Sequence, residues 1–292
     1  MTDSRVNQDN NHRKDTKMRY LLALTMLLFS TLLLADSDQD LENYFTNIES
    51  EIVYGPGTVL IEDAATFQLA YGQAFLNKKH IEDISRLLGT EPEKNVAGWI
   101  IPGTPDETST ESGWDVIKVE YADSGHISDD VDWDYDRIMK YLTDDQSERG
   151  NEVLGWVEKP NYSQASHNLS WSFNINTFED ENYDVYQNIV LGRSDIMGFS
   201  IIAPSINRSN NLVMIHTLLD SASFNPHHQY DDYQAGIDKD STLGLAALVG
   251  GVAAKKLGLF AVILALLAKF GKFIALAIGG LAVLLKLKKK NT

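Results

Sequence analysis

Through the middle of the chain, short apolar runs that alternate with polar residues are separated by turn-forming stretches, and three other segments repeat apolar residues at helical spacing. The alternating runs predict strands at residues 57–61, 66–71, 96–101, 114–121, 153–158, 169–175, 186–191 and 198–203. The helical segments lie at 77–88, 133–142 and 210–219. Many strands with about three helices predict an α+β fold, a single exported domain with a largely antiparallel sheet.

Two of the predicted strand regions carry more specific expectations. Ile117, Val119 and Tyr121 fall on one face of their run, which predicts a strand that is half buried. Trp156 and Trp171 are expected on paired strands that frame a loop containing Pro160 and contribute to the core.

The first 35 residues have the pattern of a targeting segment. A polar leader ends at Lys17-Met18-Arg19, an apolar run follows from Tyr20 to Leu34, and Ala35 precedes Asp36. A basic flank, an apolar run of about 15 residues and a small residue are typical of a signal peptide. The alternative is an uncleaved N-terminal anchor, because Leu33 stands where a small residue is usual.

Three apolar blocks, at 243–254, 257–268 and 273–285, are separated by lysines and followed by a lysine-rich tail. No block alone reaches the roughly 20 residues that cross a bilayer as a helix, and either 257–285 or 243–268 could form the span. The predicted division is a leader and signal at 1–35, the exported domain at 36–225, a juxtamembrane linker at 226–242, and a C-terminal transmembrane helical segment with its lysine-rich cytoplasmic tail at 243–292.

The charge distribution orients this arrangement. Residues 36–242 hold 12 basic and 38 acidic side chains, a net charge of about −26, whereas both ends are basic. The positive-inside rule places both basic ends in the cytoplasm, which predicts a membrane protein whose acidic domain lies outside the cytoplasm, with the lipid bilayer as one partner. A field this negative repels phosphate backbones and excludes nucleic acid as a partner. The chain has no cysteine, so disulfides and thiolate chemistry are excluded as well.

The candidate for acid–base chemistry is His167, between the two tryptophan strands and near Tyr162. A histidine in a cleft can act as a general base, and this is its catalytic interpretation. A histidine that ends a hairpin loop and bonds the backbone is the more common situation, so the structural interpretation stands beside the catalytic one.

Two acidic or histidine-rich stretches are candidate metal sites. Asp130, Asp132 and Asp134 belong to a dense aspartate run that could offer oxygen ligands to a hard cation, although the calcium-loop spacing and its glycine are missing. The alternative is a helix start, where negative charge is favourable. His227 and His228, followed by two aspartates, could bind a transition metal or could simply belong to the linker.

A series of residues spread over the exported region gives a specific resemblance. The order is Gly155-Trp156, Pro160, Tyr162, His167, Leu169, Trp171, Val190-Leu191-Gly192-Arg193, Phe224-Asn225-Pro226, Tyr230, Asp238-Lys239, Gly244-Leu245-Ala246 and Gly250 to Lys255. This series resembles the bacterial family of predicted membrane-anchored proteins known as domain-of-unknown-function family 2167. The resemblance implies a membrane anchor and an uncharacterised exported domain, and it supplies no catalytic residues.

The chain contains no nucleophile elbow, phosphate-binding loop, dinucleotide fingerprint or zinc-protease helix motif, so neither an enzyme class nor a cofactor is predicted. The leading hypothesis is a membrane-anchored envelope protein that presents an acidic extracytoplasmic domain to another envelope protein. Two alternatives stay open: an exported, hydrolase-like enzyme with an unrecognised site, and a cation-responsive sensor or transport accessory.

Overall fold

The computed structural model describes residues 40, 43–87, 89–101, 116–131, 133–177 and 180–250. The chain divides into two compact units, Met1–Asn47 and Ile48–Thr292. In the first unit, residues 43–47 are helical. Everything that follows concerns the second unit. The predicted signal at 1–35 and the apolar blocks beyond residue 250 lie outside the described residues, as does Asp132.

The described strands form two antiparallel sheets. They are β1 (Val53–Tyr54), β2 (Gly57–Ile61), β3 (Ala65–Leu69), β4 (Ala74–Asn77), β5 (Val96–Ile101), β6 (Ile117–Asp123), β7 (Glu152–Ser163), β8 (Asn168–Asn176), β9 (Asn182–Leu191), β10 (Asp195–Pro204) and β11 (Ser223–Phe224). Within this part of the chain, eight strands make a large sheet in the order β1-β4-β5-β6-β10-β9-β8-β7, and β11-β3-β2 make a small one. Every pairing in both sheets is antiparallel, which confirms the α+β class and the antiparallel sheet of the prediction.

In the described part of the second unit, four α-helices pack on or between these sheets: α1 (Lys78–Leu87), α2 (Tyr135–Glu148), α3 (Arg208–Ser221) and α4 (Leu245–Val249). The first three occur where helical spacing predicts them. Asp134 caps α2 by accepting the Arg137 N–H at 3.0 Å, so the aspartate run before this helix supplies its start, as the structural alternative had it.

The large sheet is covered on both faces. The first face carries Ile117, Val119 and Phe199 and packs against α3 and the small sheet. The second face carries Trp171 and Phe173 and packs against α2 and α4. Because both faces are covered, β6 is not half buried as predicted: Lys118 and Glu120, which alternate with the apolar residues, are each only 1% exposed. Alternation identifies the strand but not how its other face is covered.

The two tryptophan strands pair as predicted, and Trp171 is 2% exposed. The loop between them, however, spans 164–167, and Pro160 lies inside β7. Pro160 is tolerated there because β7 is the edge of the sheet and its register shifts between Glu158 and Asn161.

The C-terminal part of the described chain belongs to the core. Leu245, Leu248 and Val249 of α4 are buried in the same cluster as Trp171. Residues 226–242, predicted as a linker, also lie on the fold, since Tyr230 is buried and its hydroxyl donates to the Ile127 carbonyl at 2.8 Å. Among the residues the structure describes, no helix combines the length and the apolar character needed to span a membrane.

Candidate functional site: the acidic end

Polar loops meet at one end of the large sheet. The turn after β7 presents His167, the turn between β9 and β10 presents Arg193, and the segment 225–241 crosses both. We define the acidic end by eight aspartates of these loops and of the end of β6: Asp123, Asp129, Asp130, Asp195, Asp231, Asp232, Asp238 and Asp240. Two cationic side chains, Arg193 and Lys239, belong to the same loops.

His167 is the central side chain of this end. Its backbone is in the left-handed region with φ of 52°, and its carbonyl accepts the Leu191 N–H at 2.9 Å. Its Nδ1 is 2.9 Å from the Tyr162 hydroxyl and its Nε2 is 3.5 Å from an Asp231 carboxylate oxygen. A non-glycine residue in this backbone conformation is uncommon and points to a constrained position. The ring is thus held at both nitrogens.

Aromatic stacking joins His167 to the neighbouring loops. The His167 ring stacks on Tyr230 with a centroid distance of 4.1 Å, and the His126 ring lies 4.5 Å from the same tyrosine ring. On its other side, His126 stacks on Tyr233 at 3.8 Å. The His126 Nδ1 donates to the Arg193 carbonyl at 3.1 Å. These contacts fasten the segment 225–241 to the loops after β6 and β7.

An ion pair holds the same segment to the sheet. Arg193 contacts Asp238 through Nε at 2.8 Å and through a terminal nitrogen at 2.9 Å, and Asp238 also accepts the Gln234 N–H at 2.7 Å. The guanidinium and this backbone N–H hold the pKa of Asp238 below its ordinary value. The Arg193 N–H donates to the His228 carbonyl at 2.9 Å. Arg193 therefore makes its direct ion pair with Asp238 and holds the segment 225–241 against the turn between β9 and β10.

The tyrosines of the site are hydrogen-bond donors rather than nucleophiles. Burial raises the pKa of Tyr162, and the nearby negative charge of Asp129 raises it further. The same two causes raise the pKa of Tyr230 to about 12. Both phenols stay protonated at neutral pH, so the Tyr162–His167 pair holds the imidazole in place without supplying a tyrosinate.

Two carboxylates face each other at the start of β10. Asp195 and Asp123 are directly opposed partners across the β10–β6 pair. Burial raises the pKa of Asp195 above its ordinary value, Asp123 adds repulsion, and the hydroxyl of Tyr121 donates to Asp195. Opposed like charges destabilise a strand pair. The two carboxylates also add to the negative potential of the acidic end.

The structure brings only some of the candidate residues together. His167 lies in the cluster, whereas His227 and His228 are exposed, and His227 has a positive φ of 74°. Asp130 accepts the Ser128 hydroxyl at 3.0 Å, and Asp134 caps α2. Within the described residues, no group of three or more His, Asp or Glu side chains is arranged to hold a metal ion. The metal hypothesis includes Asp132 and stays a prediction.

Sequence reasoning missed a buried ionic group on the second face of the sheet. Lys118 Nζ lies 2.8 Å from Glu93 and 3.0 Å from Glu120, and Lys118 and Glu120 are almost fully buried. The sequence pattern that could have indicated it is Lys118-Val119-Glu120 within an apolar run. The same pattern is equally compatible with charged residues on an exposed strand face. Lys118 and Glu120 balance each other's charge inside the fold, and Glu93 lies at the partly exposed edge of the group.

The described residues define an α+β domain with one large antiparallel sheet and its charged loops gathered at one end. The chain belongs to the family described as "Protein of unknown function (DUF2167)", whose model matches residues 53–279. The family predicted from the residue series is thereby confirmed. A search of curated proteins finds no match.

Several solved structures are similar to this chain, and three of them have the following likeness to it. The solution structure of cyanobacterial PsbP (CyanoP) from Synechocystis sp. PCC 6803 is 9% identical, with a TM-score of 0.34, over 59% of this chain and 97% of that one. The Saccharomyces cerevisiae Ran-binding protein Mog1p is 12% identical, with a TM-score of 0.36, over 58% and 95%. LpqN, involved in cell envelope biogenesis of Mycobacterium tuberculosis, is 9% identical, with a TM-score of 0.33, over 56% and 83%. These similarities assign no activity to this chain.

Proposed function

We propose that this chain is a membrane-anchored envelope protein whose acidic end binds a basic surface of a partner protein. The observation that carries the proposal is the acidic end itself. Eight aspartates meet there from separate loops, and Asp231 is 88% exposed. A concentrated field of one sign raises the association rate with a partner of opposite sign and selects against like-charged proteins.

The way the loops are held supports this proposal. The ring stack of His126, Tyr230 and His167 and the Arg193–Asp238 pair fix the segment 225–241 on the fold. A fixed segment holds its carboxylates at constant positions, so less conformational entropy is lost when a partner binds. A flexible acidic tail would offer charge without this preorganisation.

The membrane location in the proposal rests on the two basic ends of the sequence. Because α4 packs in the core of the domain, the proposed C-terminal anchor begins after Gly250. The packing of α4 thus favours a span within 257–285 over one that starts at 243. Deleting 251–292 keeps α4 intact and is expected to release the domain into the periplasm if the N-terminal signal is cleaved. A truncated chain that still resists a carbonate wash would show instead that the N-terminal run is an anchor.

Protease added to spheroplasts tests the orientation. The proposal expects the domain to be digested while cytoplasmic proteins stay intact. Protection of the domain in intact spheroplasts, with digestion only after lysis, would place it on the cytoplasmic side and contradict the orientation.

Charge variants test the interaction in crosslinked envelopes. The double variant Asp130→Asn with Asp231→Asn removes two charges from the acidic end and keeps the side-chain shapes. The matched control is Glu152→Gln with Glu181→Gln, because both residues are exposed and lie at the opposite end of β7 and β9. We expect one partner to be recovered with the parent and the control, and roughly tenfold less with the acidic-end variant, about 1.4 kcal/mol.

Salt dependence separates this interaction from an apolar one. Titration of the recovered partner is expected to show affinity that falls steeply with ionic strength, because the Debye length shrinks from about 10 Å at 0.1 M salt to about 3 Å at 1 M. Equal recovery of the partner with the parent and the acidic-end variant, or affinity that does not change with salt, would contradict the proposal.

A further inference from the structure

The described part of the chain ends at a defined place on the domain. Val249 of α4 is 1% exposed and belongs to the same buried cluster as Ile138 and Leu142 of α2. Gly250, the next residue, is buried as well, and a Cβ added to it would lie 3.2 Å from a ring carbon of Tyr141. The chain therefore passes out of the domain directly beside the middle of α2.

The proposed membrane anchor limits how far this place can lie from the bilayer. Six residues, 251–256, separate Gly250 from the apolar block at 257–268. Even when fully extended, six residues span at most about 21 Å. A domain of about 200 residues is roughly 40 Å across. Because the connection is only about half as long as the domain is wide, the side of the domain that carries Gly250 lies towards the bilayer.

The surface beside Gly250 carries residue types that are typical of a membrane interface. We define the exit surface as Arg137, Lys140 and Tyr141 of α2 together with Gly250. Tyr141 is 39% exposed, and the guanidinium carbon of Arg137 lies 5.9 Å from the centre of its ring. Tyrosine is enriched where a bilayer meets water, and arginine and lysine can lay their apolar stems there while the charge stays among the headgroups.

The charges of α2 leave Arg137 available to an anion. Two of the four acidic residues of the helix are paired with cations of the same helix, Asp144 with Lys140 at 2.6 Å and Asp145 with Arg149 at 3.1 Å. The other two, Asp136 and Glu148, lie in the first and last turns. The side chain of Arg137 forms no ion pair with any residue that the structure describes. A guanidinium can donate two parallel hydrogen bonds to a phosphate, and a phosphate is what a phospholipid headgroup offers.

We infer, on the basis of the proposed anchor, that the exit surface lies on the phospholipid headgroups of the bilayer. Tyr141 is at the interface with water, and Arg137 donates to lipid phosphates. The net charge of about −26 in residues 36–242 opposes close contact between anionic lipids and the rest of the domain. The face of the large sheet that α3 covers then points away from the bilayer, because α2 and α4 cover the other face.

Lipid quenching of single fluorescent labels on the full-length protein tests this arrangement. The chain has no cysteine, so one cysteine at a time can be introduced and labelled with bimane. Asp144→Cys places the label one turn after Tyr141, and Val213→Cys and Thr217→Cys place control labels on exposed positions of α3. The vesicles consist of phosphatidylcholine and phosphatidylglycerol, with a nitroxide quencher on part of the headgroups. We expect the label at position 144 to lose most of its fluorescence and both labels on α3 to lose little.

Substitutions in the exit surface separate lipid contact from mere nearness to the membrane. With the label at position 144, the double variant Arg137→Gln with Tyr141→Ser is expected to lose most of the quenching. The matched control is Lys159→Gln with Tyr135→Ser, because Lys159 lies over the Tyr135 ring at 4.9 Å on the side of α2 next to β7. The control should be quenched like the parent. Circular dichroism checks the fold of each variant, and Arg137→Gln alone, on an exposed side chain, replaces a double variant that unfolds.

Flotation of the vesicles distinguishes a failure of the exit surface from a failure of the anchor. Protein that floats with the vesicles while the label at position 144 stays unquenched, or while all three labels are quenched equally, would overturn the inference and leave the anchor in place. Equal quenching in the parent and in the Arg137 and Tyr141 variant would overturn the assignment of these two side chains to lipid. Full-length protein that does not float would overturn the anchor itself, and the inference with it.

Discussion

Replacing Arg208 by methionine tests how strongly a buried carboxylate depends on its partners. Asp184 of β9 is fully buried, and Arg208 at the start of α3 donates to its two oxygens at 2.6 and 2.8 Å. Three further donors contact the carboxylate: Asn174 at 2.7 Å, Ser205 at 2.8 Å and Tyr186 at 3.1 Å. The methionine keeps most of the apolar stem of Arg208 and removes both charged contacts.

The expected loss of stability follows from these contacts. Breaking a buried ion pair by removing one partner costs about 3–5 kcal/mol. Arg208 is itself 44% exposed, and three neutral donors remain on Asp184, so both features place the cost at the lower end of that range. We therefore expect the free energy of unfolding at pH 7 to fall by about 3 kcal/mol.

The pH dependence gives an independent check. Burial raises the pKa of Asp184, but the hydrogen bonds from Arg208, Asn174 and Ser205 and the charge of Arg208 outweigh it, so the net shift is downward. In the parent, this carboxylate contributes stability above its unfolded pKa of about 3.9, and the contribution is lost as pH falls through the lower folded pKa. Without Arg208, the upward effect of burial on the pKa of Asp184 is opposed by fewer contacts. The loss in free energy of unfolding, relative to the parent, should therefore shrink as pH falls from 7 towards 4.

Urea unfolding of the full-length protein, followed by tryptophan fluorescence, measures both effects. Arg149→Met is the control, because Arg149 forms a partly exposed pair with Asp145 at 3.1 Å and should cost less than about 1 kcal/mol. An Arg208→Met protein within about 0.5 kcal/mol of the parent at pH 7 would refute the reasoning, since surface substitutions without structural roles cost that little. A deficit that grows towards pH 4 would refute the charge assignment.

Three further substitutions test the packing and capping of the fold by the same unfolding assay. Trp171→Ala should cost about 3–5 kcal/mol because the side chain is buried in the core, and a variant that melts like the parent would show that it faces solvent. Gly98→Ala should prevent folding, since an added Cβ would overlap the Leu76 backbone carbonyl oxygen as well as the Phe75 ring, and a soluble variant with native circular dichroism would contradict this close approach. Asp134→Ala should cost about 1 kcal/mol by removing the cap of α2, whereas an unchanged midpoint would mean that water replaces the cap.

The sheet could be predicted from the sequence because alternation is a local signal. The runs containing Phe173 and Val119 are recognisable within seven or eight residues, and the antiparallel arrangement follows from many short strands with few helices. The position of Leu245 could not be predicted this way. Its apolar neighbours resemble the start of a membrane segment, and only long-range packing against Trp171 shows that α4 belongs to the core.

The candidate site was predictable only in part. His167 could be singled out because a histidine between two tryptophan strands is conspicuous, yet its contacts to Tyr230 and Asp231 span more than sixty residues of chain. Polar composition suggested a linker for 226–242, because side-chain stacking leaves no periodic pattern in a sequence. The Asp123–Asp195 pair depends on strand register, and register is set by the whole sheet.

The last strand of the large sheet affects how copies of this protein can meet. Among the strands that the structure describes, β7 pairs with β8 alone along its twelve residues, and such edges invite strand-by-strand growth into aggregates. The register of β7 against β8 shifts at three places, which bends the strand, and Pro160 has no N–H to donate. A bent edge strand that contains a proline is a poor template for a neighbouring copy, so crowded molecules can remain separate even when their edges collide.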